Sequence, residues 1–164
     1  MSKIYNREKA IEYAKKWVYD RNKRYYAFDK LGGDCTNFIS QCLYAGVGIM
    51  NFTPLYGWYY VNLNSRTPAW TGVEFLYNFL TTNKGSGPVG RETEPEDVQP
   101  GDIIQLKFSA KNRYSHTLMI NDIKKPVNAN NIYVTTHDRD CFNYPLSMYI
   151  YEDLRFIKIV NVNP

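Results

Sequence analysis

The cysteines and histidines of this chain are the residues whose types could support nucleophilic chemistry. There are three cysteines, Cys35, Cys42 and Cys141, and two histidines, His116 and His137. An odd number of cysteines leaves at least one thiol free, and none of the spacings matches the CxxC pattern of a compact zinc site. A thiolate beside an imidazole can attack a carbonyl carbon, so the first question is which cysteine is a reactive thiolate.

Cys35 is placed where a helix would stabilise its anion. Asp34 is a residue type that favours helix N-caps, and Gly46 is a residue type that ends helices. The apolar positions between them with helical spacing are Phe38, Ile39, Cys42 and Leu43. Unpaired N–H groups and the helix dipole lower the pKa of a thiol in the first turn. Cys35 is therefore the candidate nucleophile; the other interpretation, preferred for Cys42 and Cys141, is a small buried core residue.

Both histidines lie at the ends of predicted strands, where side chains can meet the end of a packed helix. His116 precedes a short apolar run, and His137 follows a β-rich one. A thiol hydrolase also needs a third residue that accepts a hydrogen bond from the far ring nitrogen of the base. With His116 as base, the candidates are His137, Asp138 and Asp140. Each histidine could instead be a structural residue.

The elements that must position these residues are helices in the first half of the chain and strands in the second. Apolar spacing predicts helices over residues 6–20, after Asp34, and over 71–80. Residues 83–90 are predicted to form a Gly-rich loop. The predicted strands are residues 103–106, 117–120, 132–136 and 154–160. Helices followed by strands predict an α+β fold with an antiparallel sheet, and 164 residues fit one domain over residues 1–164.

Composition argues against several function classes. The net charge of +4 is a mild bias, and the basic residues between positions 15 and 24 are interpreted as a solvated helix face, so no nucleic-acid partner is expected. No apolar run is long enough for a membrane span or a signal peptide. We therefore expect a soluble protein, extracellular or cell-wall associated if an export signal lies elsewhere, and cytoplasmic otherwise. Phosphate-loop and dinucleotide motifs are absent, so no cofactor is expected.

Several blocks of the sequence resemble the bacterial putative amidase domain family. The most specific is GDCTNFISQCL at residues 33–43. The others are AW at 69–70, GDIIQL at 101–106, SHT at 115–117, THDRD at 136–140, PLS at 145–147 and LRFI at 154–157. That family is similar to NlpC-type peptidases and CHAP amidases. The resemblance implies a circularly rearranged papain-like fold, with N-terminal helices and a nucleophile at a helix N-terminus packed on an antiparallel sheet.

The resemblance also implies roles for individual residues. Cys35 matches the nucleophile, His116 the base and His137 the residue that orients the base. Asp140 is the alternative third member, with Asp138 beside it. No metal ligand is implied.

The implied activity is amide hydrolysis through a thioester, on peptidoglycan or another peptide amide. The oxyanion would be held by the backbone N–H of Cys35 and by the hydroxyl of Tyr25, with Tyr26 as its competitor. The aromatic segment 52–70 is a candidate lining for the cleft.

Three other interpretations remain open from the sequence. The same site could transfer an acyl group to an acceptor other than water, and the chain would then be an acyltransferase. The domain could be an inactive module that binds cell-wall polymer. Cys35, His116, His137 and Cys141 could instead bind zinc, although their spacing is unlike compact zinc sites. The oligomeric state is not indicated.

Overall fold

The computed structural model describes residues 3–164, in which helices precede the strands of the main sheet. The helices are α1 (Arg7–Trp17), α2 (Cys35–Val47), α3 (Pro68–Thr71) and α4 (Val73–Thr82). The strands are β1 (Tyr60–Asn62), β2 (Ser65–Arg66), β3 (Gly87–Thr93), β4 (Ile103–Lys107), β5 (Tyr114–Ile123), β6 (Ile132–Thr136), β7 (Cys141–Pro145) and β8 (Asp153–Asn163). Single 3₁₀ turns occupy Phe28–Lys30, Pro95–Asp97 and Leu146–Met148. The predicted α+β class with an antiparallel sheet is confirmed.

Helix α2 is the central helix of the fold and is almost completely buried. Its burial follows from a sequence with apolar or small residues on nearly every face. It ends at Gly48, which adopts a φ of 74° that favours glycine. Asp34 occupies the N-cap position, but its side chain forms no capping bond to the helix backbone. The predicted N-cap position is therefore confirmed, the capping hydrogen bond is not formed, and the Asp34 carboxylate bonds to other groups described below.

Six strands form one antiparallel sheet in the order β3-β8-β4-β5-β6-β7. Strand β8 pairs with β3 on one side and β4 on the other, so it is an interior strand of the sheet. Strands β5, β6 and β7 follow one another as neighbours. Helix α2 packs on β5, which brings the start of this helix to the strand that carries His116.

Alternating side chains divide the sheet between two apolar clusters. Ile103, Met119 and Ile157 pack in the cluster that contains the helices. Their chain neighbours Ile104 and Leu118 pack in a second cluster on the other face. This is the two-residue period of a sheet buried on both faces. The sheet is thus a rigid support for residues at its edges and strand ends.

Several predicted elements differ from the observed ones. The helix predicted over residues 71–80 is divided at Gly72 into α3 and α4. The loop predicted over residues 83–90 includes the start of β3, and β7 was not predicted. Among residues 3–164, no helix has the length and apolar character needed to cross a membrane.

Candidate active site

Cys35 is the first residue of α2, and the residue is 5% exposed. Burial raises the pKa of this thiol to about 11, and the charge of Asp138 acts in the same direction. Hydrogen bonds from Thr36 and from the backbone of Thr117 lower the pKa by a smaller amount. The sequence predicted a thiolate stabilised by the helix N-terminus. In this resting structure desolvation outweighs that effect, so the neutral thiol is favoured.

His116 lies on β5, opposite Leu106 of β4, and is 7% exposed. Burial lowers the pKa of its imidazole to about 4, against an opposing effect of the Asp138 charge. A neutral imidazole can accept a proton, as a general base must. Cys35 and His116 are therefore both uncharged near neutral pH, and each is in the protonation state that precedes proton transfer from sulfur to nitrogen.

A hydrogen bond joins the two residues that follow Cys35 and His116 in the chain. The hydroxyl oxygens of Thr36 and Thr117 lie 2.8 Å apart, and both threonines are buried. Thr36 follows Cys35 in α2, and Thr117 follows His116 in β5. This contact anchors the N-terminus of α2 to β5 beside Cys35 and His116.

Asp138 completes the cluster. One ligand-capable atom each of Cys35, His116 and Asp138 lies within 4.8 Å of the other two. The Asp138 carboxylate accepts a hydrogen bond of 2.7 Å from the backbone N–H of Asp34. The cluster therefore combines a thiol, an imidazole and a carboxylate, the residue types of a cysteine-hydrolase triad.

His137 belongs to a different network. Its Nδ1 donates to the Asp34 carboxylate at 2.6 Å, and its ring stacks on Phe38 with centroids 3.8 Å apart. The guanidinium of Arg21 donates to its Nε2 at 3.1 Å, and the carbonyl oxygen of Trp17 lies 3.2 Å from the same nitrogen. Both ring nitrogens are thus occupied by groups other than His116. The structure does not bring His137 to His116 as an orienting residue.

Asp140 also lies in this second network. Arg21 donates to both of its carboxylate oxygens, at 3.0 and 3.1 Å, and pairs with Asp29 at 2.6 Å. Of the three predicted third members, Asp138 alone belongs to the cluster with Cys35 and His116.

The two tyrosines offered as oxyanion donors lie elsewhere. Tyr25 is buried in the aromatic core, stacked on Trp70 at 5.9 Å and packed against Tyr60 at 5.0 Å. Tyr26 is partly exposed and its ring packs on Phe28. Neither tyrosine is among the described residues that line the cleft containing His116.

A cleft of about 530 Å³ opens beside His116 and Asp138. The other side chains around it include Phe108, Lys111, Arg139, Met148, Tyr149 and Ile150. The expected aromatic lining from segment 52–70 is not found among the described residues around this cleft. Trp58 and Trp70 are instead fully buried core residues.

Sequence reasoning missed Tyr149. Its ring lies 5.9 Å from that of His116, and its hydroxyl is 3.6 Å from the sulfur of Cys141. Burial raises its pKa, with smaller contributions from Cys141 and Cys35, so the phenol stays protonated and can donate. It follows the PLS block at residues 145–147 with no local motif, and only the fold brings it to the cleft.

Known proteins resemble this chain over most of its length. A model of the putative amidase domain family matches residues 4–160. The Uncharacterized protein YhbB of Bacillus subtilis (strain 168) is 33% identical over 117 residues, which cover 71% of this chain and 37% of the relative. The chain thus spans little more than a third of the length of that curated relative. No solved structure matches the chain.

Proposed function

Since the chain belongs to the putative amidase domain family, we propose that it hydrolyses amide bonds with Cys35 as nucleophile and His116 as base. Family membership indicates an amide hydrolase in general. The cysteine mechanism is supported by one observation above the others: Cys35, His116 and Asp138 converge within 4.8 Å at the start of a buried helix. The sequence block around Cys35 and the position of Cys35 in the fold both support this assignment.

In the first half of the reaction, the thiol of Cys35 attacks the substrate carbonyl carbon as its proton passes to His116. The buried, uncharged pair implies that this transfer accompanies attack and does not precede it. The charge that develops on the imidazole is then stabilised by Asp138, whose negative charge raises the pKa of His116. The imidazolium returns the proton to the leaving amine, and a thioester on Cys35 remains.

In the second half, His116 takes a proton from water, the resulting hydroxide attacks the thioester carbonyl, and the thiol of Cys35 is restored with its proton. In this proposal the backbone N–H groups in the first turn of α2, which have no partner within the helix, hold the oxyanion in both steps. Tyr149 is the phenol beside His116 in the cleft and is our candidate for a second oxyanion donor. It takes the role that the resemblance had offered to Tyr25.

A papain-like relationship to NlpC-type peptidases and CHAP amidases is part of this proposal. A cysteine at the start of a central helix, facing a histidine on an antiparallel sheet, supports it. The family match over residues 4–160 supports treating residues 1–164 as one catalytic domain.

A metal site is the second candidate, because thiolate, imidazole and carboxylate are all zinc ligand types. Among the described residues, the group that could hold an ion contains Cys35, His116 and Asp138, and excludes His137 and Cys141 of the sequence-based zinc set. Metal analysis of the purified protein separates the two functions. Stoichiometric zinc, with hydrolysis abolished by a chelator, favours metal chemistry; hydrolysis that is indifferent to the chelator favours the thiol mechanism.

The test of the proposed function is a hydrolysis screen followed by mass spectrometry. Peptidoglycan stem peptides and unrelated peptide amides are incubated with wild type, Cys35→Ala and the matched variant Cys42→Ala, which changes a buried cysteine on the same helix. We expect hydrolysis and a transient acyl adduct on Cys35 in wild type and in Cys42→Ala, and neither in Cys35→Ala. Full hydrolysis by Cys35→Ala would refute the mechanism.

The same screen separates the remaining alternatives. New amides formed with an added amine would indicate acyl transfer. Binding to cell-wall polymer that survives Cys35→Ser, without turnover by any variant, would indicate a binding module.

A further inference from the structure

Basic side chains without carboxylate partners surround the candidate active site. Lys111 and Arg139 line the cleft with His116, and Arg113 lines an adjoining groove that shares Lys111. Within residues 3–164, none of these three has a carboxylate within ion-pair distance. Glu74 in the adjoining groove is paired with Arg155 at 2.8 Å. Asp138 is the one carboxylate among the described residues that line the cleft, so Lys111 and Arg139 leave the lining with a net positive charge.

Arg139, which lines the cleft, has an unfavourable backbone conformation. It has a φ of 76° and follows Asp138, whose φ is 66°, in the turn between β6 and β7. Hairpin turns with two such residues favour Asn, Asp and Gly, and each non-glycine residue there costs about 1 kcal/mol. Asp138 is accounted for by its place beside Cys35. Within the part of the chain that the structure describes, Arg139 forms no ion pair that would account for its conformation. Such conformations concentrate at functional sites.

The same cleft also has exposed apolar side chains. Met148 is 61% exposed and Ile150 is 93% exposed, and both line the space that Arg139 and Lys111 border. Exposed aliphatic side chains beside unpaired cations suit a ligand that has an apolar part and a negatively charged part.

We propose that the cleft selects amide substrates that carry a carboxylate near the scissile bond, bound by Arg139 and Lys111, with an apolar portion against Met148 and Ile150. This inference rests on the proposed function, since it assigns the substrate class of the same site. A guanidinium fork matches a carboxylate in geometry as well as charge, and the positive cleft raises the local concentration of anions.

Alkylation of Cys35 by a matched pair of reagents tests this inference without a known substrate. Iodoacetate carries a carboxylate, and iodoacetamide is its neutral analogue. The quantity measured is the ratio of the Cys35 alkylation rate with iodoacetate to that with iodoacetamide, divided by the same ratio for the uncharged thiol 2-mercaptoethanol. We expect this normalised ratio to exceed one in wild type and to fall towards one as salt concentration is raised.

The test variant carries both Arg139→Gly and Lys111→Gln. The control is Lys84→Gln, which changes an exposed lysine outside the cleft. Glycine suits the φ at position 139, so this change favours folding while removing the charge. We expect the ratio to fall about tenfold in the double variant and to stay unchanged in the control. A ratio that is the same in wild type and the double variant overturns the inference and leaves the nucleophile intact. If Cys35 reacts with neither reagent, the proposed function fails and this inference fails with it.

Discussion

The backbone N–H of Asp34 donates to the carboxylate of Asp138 at 2.7 Å, across 104 positions of the chain. This bond joins the residue before Cys35 to the turn after β6. A second bond runs between the same two segments, from His137 to the Asp34 carboxylate at 2.6 Å. The two bonds fix the start of α2 to the β6–β7 turn, and through it they place a carboxylate beside the thiol and imidazole.

Asp138→Asn removes the negative charge of this residue but keeps an oxygen that can accept the hydrogen bond from the Asp34 N–H. The amide oxygen of asparagine can still accept from Asp34, so folding should be preserved. Hydrolysis should fall by about 100-fold or more, because the imidazolium formed on His116 loses its counter-charge. The pKa of Cys35 should also fall, since the Asp138 charge raises it, and the alkaline limb of Cys35 alkylation should move to lower pH. Asp140→Asn is the control, and an unchanged rate in Asp138→Asn would remove Asp138 from the mechanism.

Gly33→Ala tests whether the Asp138 carboxylate must occupy the space that a side chain at position 33 would fill. A Cβ at Gly33 would collide with this carboxylate, whereas a Cβ at Gly32 would meet nothing within 4 Å. Both glycines have positive φ, 99° and 86°, so both substitutions carry a strain of about 1 kcal/mol. Gly33→Ala alone should then displace Asp138. We expect loss of turnover in Gly33→Ala and near wild-type turnover in Gly32→Ala; equal losses would count against this role for Asp138.

His137→Ala and His116→Ala should fail in different ways. Removing His137 leaves an Asp34 carboxylate oxygen without its donor and an empty space against Phe38, so stability should fall by about 2–4 kcal/mol. Removing His116 should abolish turnover with a smaller loss of stability. Denaturation curves measure the loss of stability in each variant. The pH profile of turnover, measured under conditions where both variants are folded, shows which substitution abolishes activity. Full stability with abolished turnover in His137→Ala would restore His137 as the orienting residue.

The low pKa of His116 predicts a specific loss of stability in acid. The folded-state pKa is about 4, below the ordinary value of 6.5. Above pH 6.5 the imidazole is neutral in both states and contributes nothing; as pH falls from there to 4, the unfolded chain binds a proton that the folded one does not. The free energy of unfolding should fall across this window by up to about 3 kcal/mol. Urea denaturation of wild type and His116→Gln checks this, and an identical pH dependence in the two proteins would contradict it.

The central helix and the strand of His116 could be predicted because their signals are local. Helical spacing after Asp34 indicates α2, and the short apolar run after His116 indicates β5. Strand β3 begins with Gly87-Pro88, which suggests a turn, and becomes a strand through pairing with β8 from the far end of the chain. Strand β7 ends in Pro145 and lies at the sheet edge, where proline is tolerated.

The third member of the site could not be chosen from sequence. His137 and Asp138 are adjacent, and the positive φ of Asp138 directs the two side chains to different places. The His137 side chain contacts Asp34 and Arg21, and the Asp138 carboxylate lies beside Cys35. Tyr149 likewise depends on the fold, since it follows a 3₁₀ turn rather than a recognisable motif. Local patterns identify residue types for chemistry, whereas turn geometry decides which of them meet.

The most direct test of an activated Cys35–His116 pair is iodoacetamide labelling of each cysteine, followed by mass spectrometry across pH in wild type and His116→Ala. Because His116 takes the thiol proton as sulfur attacks, the reacting form is the neutral pair, whose population is constant between the pKa values of about 4 for His116 and about 11 for Cys35. Wild-type labelling of Cys35 should therefore be nearly constant from about pH 5 to about pH 9. It should also be faster than labelling of Cys42 and Cys141. In His116→Ala it should be slow at neutral pH and rise steadily towards the thiol pKa. If Cys35 labels no faster than Cys141, or follows the same pH profile without His116, the account of this site is wrong.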